Sequence, residues 1–150
     1  MAPMELDYAL IADHAEITGG KLYLMGGGWD TFGSARFPAA VRFAVAVGVR
    51  IGWDETNRPI AVTMRLEDDD GKVLTRIEGT VQVGRAPTLV AGSTQLAQLA
   101  AVISVQVERP GGHRVVVEVA DQGQPTIRRV LPFRVVQPPG PPQPLLPAQP

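Results

Sequence analysis

Hydrophobic and polar residues alternate strictly along VRFAVAVGVRI, residues 41–51. A period of two puts alternate side chains on opposite faces, so the segment predicts a β-strand with one face in a core. The other face carries two arginines with Ala44, Ala46 and Gly48 between them. Small side chains permit close packing, and we expect another element, the C-terminal tail or a second subunit to cover this face.

Similar segments follow, separated by turn sequences. Residues 60–67 and 73–83 flank Asp-Asp-Asp-Gly and predict a β-hairpin. Thr-Gly-Gly-Lys at 18–21 predicts an earlier hairpin turn. Residues 95–107 fit helical or strand spacing, and the β-branched residues of VISVQV favour a strand. In the strand at 73–83 the predicted inward set is Val73, Thr75, Ile77, Val81 and Val83.

Many short strands joined by turns predict an all-β antiparallel sandwich of about seven or eight strands. The composition changes after residue 136. The segment QPPGPPQPLLPAQP, residues 137–150, holds seven of the 14 prolines and favours polyproline II or disorder. The chain therefore divides into a sandwich domain, 1–136, and a proline-rich tail, 137–150. Such a tail is either an inert linker or a ligand for an aromatic-lined groove.

Three segments resemble a family of small uncharacterised bacterial proteins. They are the opening DYALIADHAEITGGKLYLMGGGWDTF, the middle LEDDDGKVL and the late PGGHRVVVEVADQGQ with LPFRVV. The resemblance covers residues 6–136 and implies an immunoglobulin-like or C2-like β-sandwich without an assigned activity. This chain has His113 where the family pattern has a tyrosine.

Charge and composition narrow the function classes. The net charge is −1, from 14 basic and 15 acidic residues, which argues against a nucleic-acid binder or an anionic membrane surface as partner. The chain has no cysteine, so disulfides, thiolate catalysis and Cys-based zinc sites are excluded. We find no secretory signal or apolar span and expect a cytoplasmic protein without a cofactor.

Four consecutive carboxylates form the first candidate site. Glu67, Asp68, Asp69 and Asp70 could offer clustered oxygens to calcium. Their spacing lacks the alternating pattern of a calcium loop, so a solvated hairpin turn is the favoured interpretation.

Two tryptophans and a nearby carboxylate form the second candidate site. Trp53, in the polar segment WDETNRP, is the better candidate for an exposed partner- or sugar-stacking residue, beside Asp54. Trp29 is expected in the core, where sandwiches usually bury a tryptophan. His14 and His113 are the only histidines, and no serine lies in a nucleophile motif, so we do not expect an enzyme.

These features favour a non-catalytic interaction module that binds a protein partner or itself through loops or a strand edge. A structural subunit of a larger homo-oligomeric assembly is one alternative. A calcium- or carbohydrate-binding domain is the other.

Overall fold

The computed structural model describes residues 4–140, which form two β-sheets facing each other across one core. The strand orders are β2-β1-β4-β7 and β3-β9-β8-β5-β6. All neighbours are antiparallel except β3 and β9, which run parallel. The strands are β1 (Glu5–Thr18), β2 (Lys21–Gly27), β3 (Thr31–Gly33), β4 (Ala39–Ile51), β5 (Ile60–Asp68), β6 (Val73–Val81), β7 (Gln95–Val107), β8 (Gly111–Ala120) and β9 (Ile127–Val136).

This architecture confirms the predicted all-β sandwich and the hairpin of β5 and β6. The described residues form nine strands where seven or eight were predicted, because the glycine run after Met25 separates the short β3 from β2. The parallel pairing of β3 with β9 is also a departure from the predicted antiparallel arrangement. Most of the predicted proline-rich tail, residues 141–150, lies outside the described residues.

The core is built by the predicted alternation. Phe43 and every second residue on its side of β4 are almost completely buried, and the corresponding residues of β5 and β8 face them. The segment 95–107 is a strand throughout, with Leu99 and Ile103 directed to the core. Burial of these inward-facing side chains provides the hydrophobic contribution that holds the sheets together.

One register prediction was wrong. Val73 was expected to face inward, but 48% of it is exposed, and Leu74 packs against the core in its place. The cause is an irregularity in the pairing of β5 with β6: Leu66 pairs with Thr75 while Glu67 pairs with Val73. A bulge of this kind adds a residue to one strand and reverses the side-chain direction beyond it.

The small-residue face of β4 is covered by the chain itself. Strand β1 pairs with β4 up to Ala12 and with β2 from Ala12 onward, so the hairpin of β1 and β2 leaves the sheet at this residue. At the hairpin tip, the Gly20 carbonyl accepts a hydrogen bond of 2.8 Å from Gln98 Nε2 on β7, beyond β4. The hairpin therefore lies across the outer face of β4. Ala44 and Ala46 are consequently 2% and 0% exposed.

Tyr8 completes this cover. Its ring lies on Gly48 so closely that a Cβ there would be 2.2 Å from Tyr8 Cε1. The Tyr8 hydroxyl reaches over Gly48 and donates to Gln98 Oε1 at 2.5 Å. The Gln98 amide thus joins β1, β7 and the hairpin tip through its two polar atoms.

Candidate functional site

The four predicted carboxylates do not form one group. Glu67 lies on the outer face of the five-stranded sheet, where it accepts hydrogen bonds from Arg65 Nε at 2.8 Å and Arg114 Nε at 2.7 Å. These guanidinium groups hold the pKa of Glu67 below its ordinary value. Arg65 also contacts Glu118 at 2.7 Å, so the carboxylate belongs to a ladder of ion pairs across β5 and β8. Both carboxylate oxygens of Glu67 are therefore occupied by arginines on the face of the sheet.

The remaining three carboxylates diverge around the turn. Asp68 Oδ1 accepts from the backbone nitrogens of Asp70 and Lys72, both at 2.9 Å, which is the usual role of aspartate in a turn. Asp70 lies 4.0 Å from Arg109, and Asp69 lies against Gly112 near the start of β8. Within residues 4–140, no group of three or more His, Cys, Asp or Glu side chains could hold a metal ion.

The two tryptophans lie at opposite ends of the sandwich. Trp29 packs edge-on against Phe43 and Phe133, with ring centroids 5.8 and 6.1 Å away, so it contributes to the core as expected. Trp53 follows the end of β4, about eight residues or ~27 Å along the strand from Phe43. They cannot form one binding site.

Trp53 is less available than the sequence suggested. It is half-buried, and the Arg85 guanidinium lies 4.3 Å from its ring centroid. Arg85 also donates to the Trp53 carbonyl at 2.5 Å. The stacking surface expected to face a ligand is therefore occupied by a cation of the same chain. Asp54 beside it is exposed.

Strand β7 presents the longest unprotected sheet edge in the described part of the molecule. It spans 13 residues, Gln95–Val107, and carries no charged side chain. Its backbone hydrogen bonds go to β4 on one side, and no described strand pairs with the other side. On its outer face Leu96 and Val102 are 37% and 47% exposed.

The other edges carry the features that usually prevent strand pairing, namely charge, shortness, proline and glycine. Strand β6 has the exposed pair Arg76–Glu78, and β3 has three residues. Pro132 and two arginines lie in the part of β9 that β3 leaves uncovered. Strand β2 begins with Lys21 and ends in glycines. Strand β7 has none of these features.

Comparison with known proteins gives the family. The model of a family of unknown function, DUF6941, matches residues 7–136. The chain belongs to this family. The family thus spans both sheets, from β1 to the end of β9, and the predicted resemblance to an uncharacterised family is confirmed. No curated protein matches the sequence.

Comparison with solved structures gives several distant matches, and those described below have TM-scores under 0.5. A β-glucuronidase from glycoside hydrolase family 2 is 12% identical with a TM-score of 0.45, over 87% of this chain and 11% of that one. The C-terminal domain of Wzt is 9% identical with a TM-score of 0.49, over 92% and 76% of the two chains. The putative ApaA protein from Bordetella pertussis is 15% identical with a TM-score of 0.30, over 91% and 96%. The DUF6941 chain thus spans about a tenth of the glucuronidase.

Sequence reasoning missed the link made by Tyr8 and Gln98. One signal was present: Phe43 to Val49 is an unbroken apolar run, which is typical of a strand covered on both faces. The covering element could not be named, because a single glutamine on a distant strand makes the contact.

No helix among the described residues is long and apolar enough to cross a membrane.

Proposed function

We propose that this DUF6941 chain is a non-catalytic interaction module that associates with a second copy of itself through the free edge of β7. The observation that carries the proposal is the 13-residue edge strand without a charged side chain. Two β7 strands would pair antiparallel about a two-fold axis and join two four-stranded sheets into one of eight strands.

The geometry favours a second copy as the partner because the surface is self-complementary. An antiparallel two-fold pairing centred near Ala101 places Ala100 of one copy opposite Val102 of the other, so apolar side chains meet on the outer face. The backbone donors and acceptors along the edge find partners without any charged group losing water. The net charge of −1 gives little repulsion between copies.

The expected affinity is moderate. One strand pair buries less surface than a standard protein interface, so we expect a dimer that dissociates in the micromolar range. We also propose that the sandwich is of the immunoglobulin-like or C2-like type and that the protein is cytoplasmic, as expected from the sequence. A larger structural assembly would need a second contact surface besides β7.

Light scattering coupled to size-exclusion chromatography tests the proposal on the full chain over micromolar to millimolar loading. We expect the mass to rise with concentration from 16.0 kDa toward twice that value. Val102→Lys places like charges close together across the two-fold axis and should hold the mass at that of the monomer.

Val73→Lys is the matched control, because Val73 is equally exposed, at 48% against 47%, and lies on the charged edge strand β6. This variant should dimerise as the parent does. A monomer at every concentration, or a dimer that survives Val102→Lys, would overturn the proposal. A mass above that of a dimer would favour the assembly alternative.

A further inference from the structure

The apolar residues of β7 do not by themselves determine how two copies of the strand align. In an antiparallel pair about a two-fold axis, residues equally distant from the axis face each other across the pair. The outer face of β7 carries Leu96, Ala100 and Val102. Apolar side chains meet near the axis whether it passes through Ala100, Ala101 or Val102. The polar positions on this face must therefore select the register.

Gln98 and Ser104 are the polar positions within this face, and Gln98 is held in place. Its Oε1 accepts a hydrogen bond of 2.5 Å from the Tyr8 hydroxyl, and its Nε2 donates to the Gly20 carbonyl at 2.8 Å. An amide oxygen accepts two hydrogen bonds and an amide nitrogen donates two, so each atom retains capacity for one more. Gln98 thus offers a fixed amide at little further cost in side-chain entropy. Ser104 is exposed, so its hydroxyl is accessible.

We propose that Ser104 of each copy hydrogen-bonds to Gln98 of the other and thereby fixes the register of the β7 pair. This inference rests on the proposed association through β7. Gln98 and Ser104 lie three residues before and three residues after Ala101, so an axis at Ala101 places them directly opposite each other twice. Directly opposed Cβ atoms are about 4.5–5.5 Å apart, a span that a serine hydroxyl and a glutamine amide can bridge.

The neighbouring registers lose this contact. An axis at Ala100 places Gln98 opposite Val102. The same axis places Ser104 opposite Leu96, so both polar groups face alkyl side chains. An axis at Val102 keeps a polar partner for Gln98 but places Ser104 opposite Ala100. Polar groups that lose water without gaining a hydrogen bond are destabilising, and two-fold symmetry doubles the difference between registers.

Disulfide trapping measures the register directly, because the chain has no cysteine of its own. Ala100 and Ala101 are both half-buried, which makes their cysteine variants a matched pair. With the axis at Ala101, Ala101→Cys faces itself at a Cα separation of about 4.5–5.5 Å, which suits a disulfide. Ala100→Cys lies about 8 Å from its counterpart, which is too far. We expect oxidised glutathione to convert Ala101→Cys, and not Ala100→Cys, to a covalent dimer.

Serine variants test the hydrogen bond itself by light scattering. Ser104→Ala removes the hydroxyl from both symmetric bonds and should weaken the dimer about tenfold to a hundredfold. Ser104→Thr keeps a hydroxyl at this position and should retain the parent affinity. Ser34→Ala is the matched control, because Ser34 follows β3 in the other sheet. This variant should dimerise as the parent does.

The possible outcomes separate this inference from the proposed dimer. A covalent dimer of Ala100→Cys in place of Ala101→Cys would overturn the contact between Ser104 and Gln98 but leave association through β7 intact. An unchanged affinity in Ser104→Ala would do the same. A chain that stays monomeric at millimolar concentration, with neither cysteine variant cross-linked, would overturn both proposals.

Discussion

Replacing Gly48 by alanine provides a direct test of how the chain covers its own sheet. Gly48 lies in β4 with an ordinary extended backbone, so alanine is permitted there by conformation. The added Cβ would lie 2.2 Å from Cε1 and 2.6 Å from Cδ1 of the Tyr8 ring. Carbon atoms pack at about 3.5–4.0 Å, so the ring must move by more than an ångström.

That movement has two costs. Overpacking typically destabilises by about 1–3 kcal/mol. Displacement of the ring also breaks the hydrogen bond from Tyr8 to Gln98, which contributes about 1 kcal/mol. We expect Gly48→Ala to lower the free energy of unfolding by about 2–4 kcal/mol, which at this chain length lowers Tm by roughly 4–16 °C.

Thermal unfolding followed by circular dichroism measures this effect, and a double-mutant cycle assigns its cause. In a Tyr8→Ala background the ring is absent, so Gly48→Ala should be neutral or slightly stabilising. Gly33→Ala is the matched control in β3, because the nearest side-chain atoms lie 3.9 Å from its added Cβ. Equal destabilisation by Gly48→Ala with and without Tyr8 would refute the reasoning.

Three further outcomes follow from the same contacts. Gln98→Ala should release the hairpin tip, which hydrogen exchange at the backbone amides of residues 19–22 would report as faster exchange; unchanged exchange would place the restraint elsewhere. The lowered pKa of Glu67 contributes stability above the pKa of the unfolded chain, and this contribution is lost as pH falls through the folded value. Tm should therefore fall on acidification, and Glu67→Gln should reduce that slope. Asp121→Asn should lower Tm, since it weakens a pair of hydrogen bonds from Arg58 to a buried carboxylate; an unchanged Tm in thermal denaturation would contradict this.

The parts of the fold that follow from local alternation could be predicted from the sequence. In β4 and β5 the period of two identifies the buried face because each side chain's direction depends only on its position in the strand. The turn between β5 and β6 is likewise encoded in Asp-Gly. Strand β7 needed the added argument from β-branched residues, since the helical and strand patterns overlap there.

The rest depends on contacts between distant residues. The path of the β1–β2 hairpin is determined by what covers Ala46 and by a hydrogen bond from Gln98, which is 78 residues from Gly20. The reversed direction of Val73 follows from a bulge in the pairing with β5. The ion pair between Glu67 and Arg114 joins β5 to β8. The alternation of residues within one strand does not show which strand lies beside it. None of these contacts leaves a periodic signal in the sequence.

The two outer faces of the sandwich differ in a way that explains why β7 is the exposed edge. The five-stranded sheet is faced by ion pairs of Arg65, Glu67 and Arg114, whose charged groups satisfy one another, so this face has no row of small apolar side chains to cover. The four-stranded sheet is faced by alanines, and the chain covers them with the β1–β2 hairpin. That hairpin is anchored at Gln98 and covers the face of β4, but it provides no backbone partner for the edge of β7. A chain that shields an apolar face with the end of β1 and with β2, and leaves the adjacent edge without a charge, is expected to use that edge for pairing.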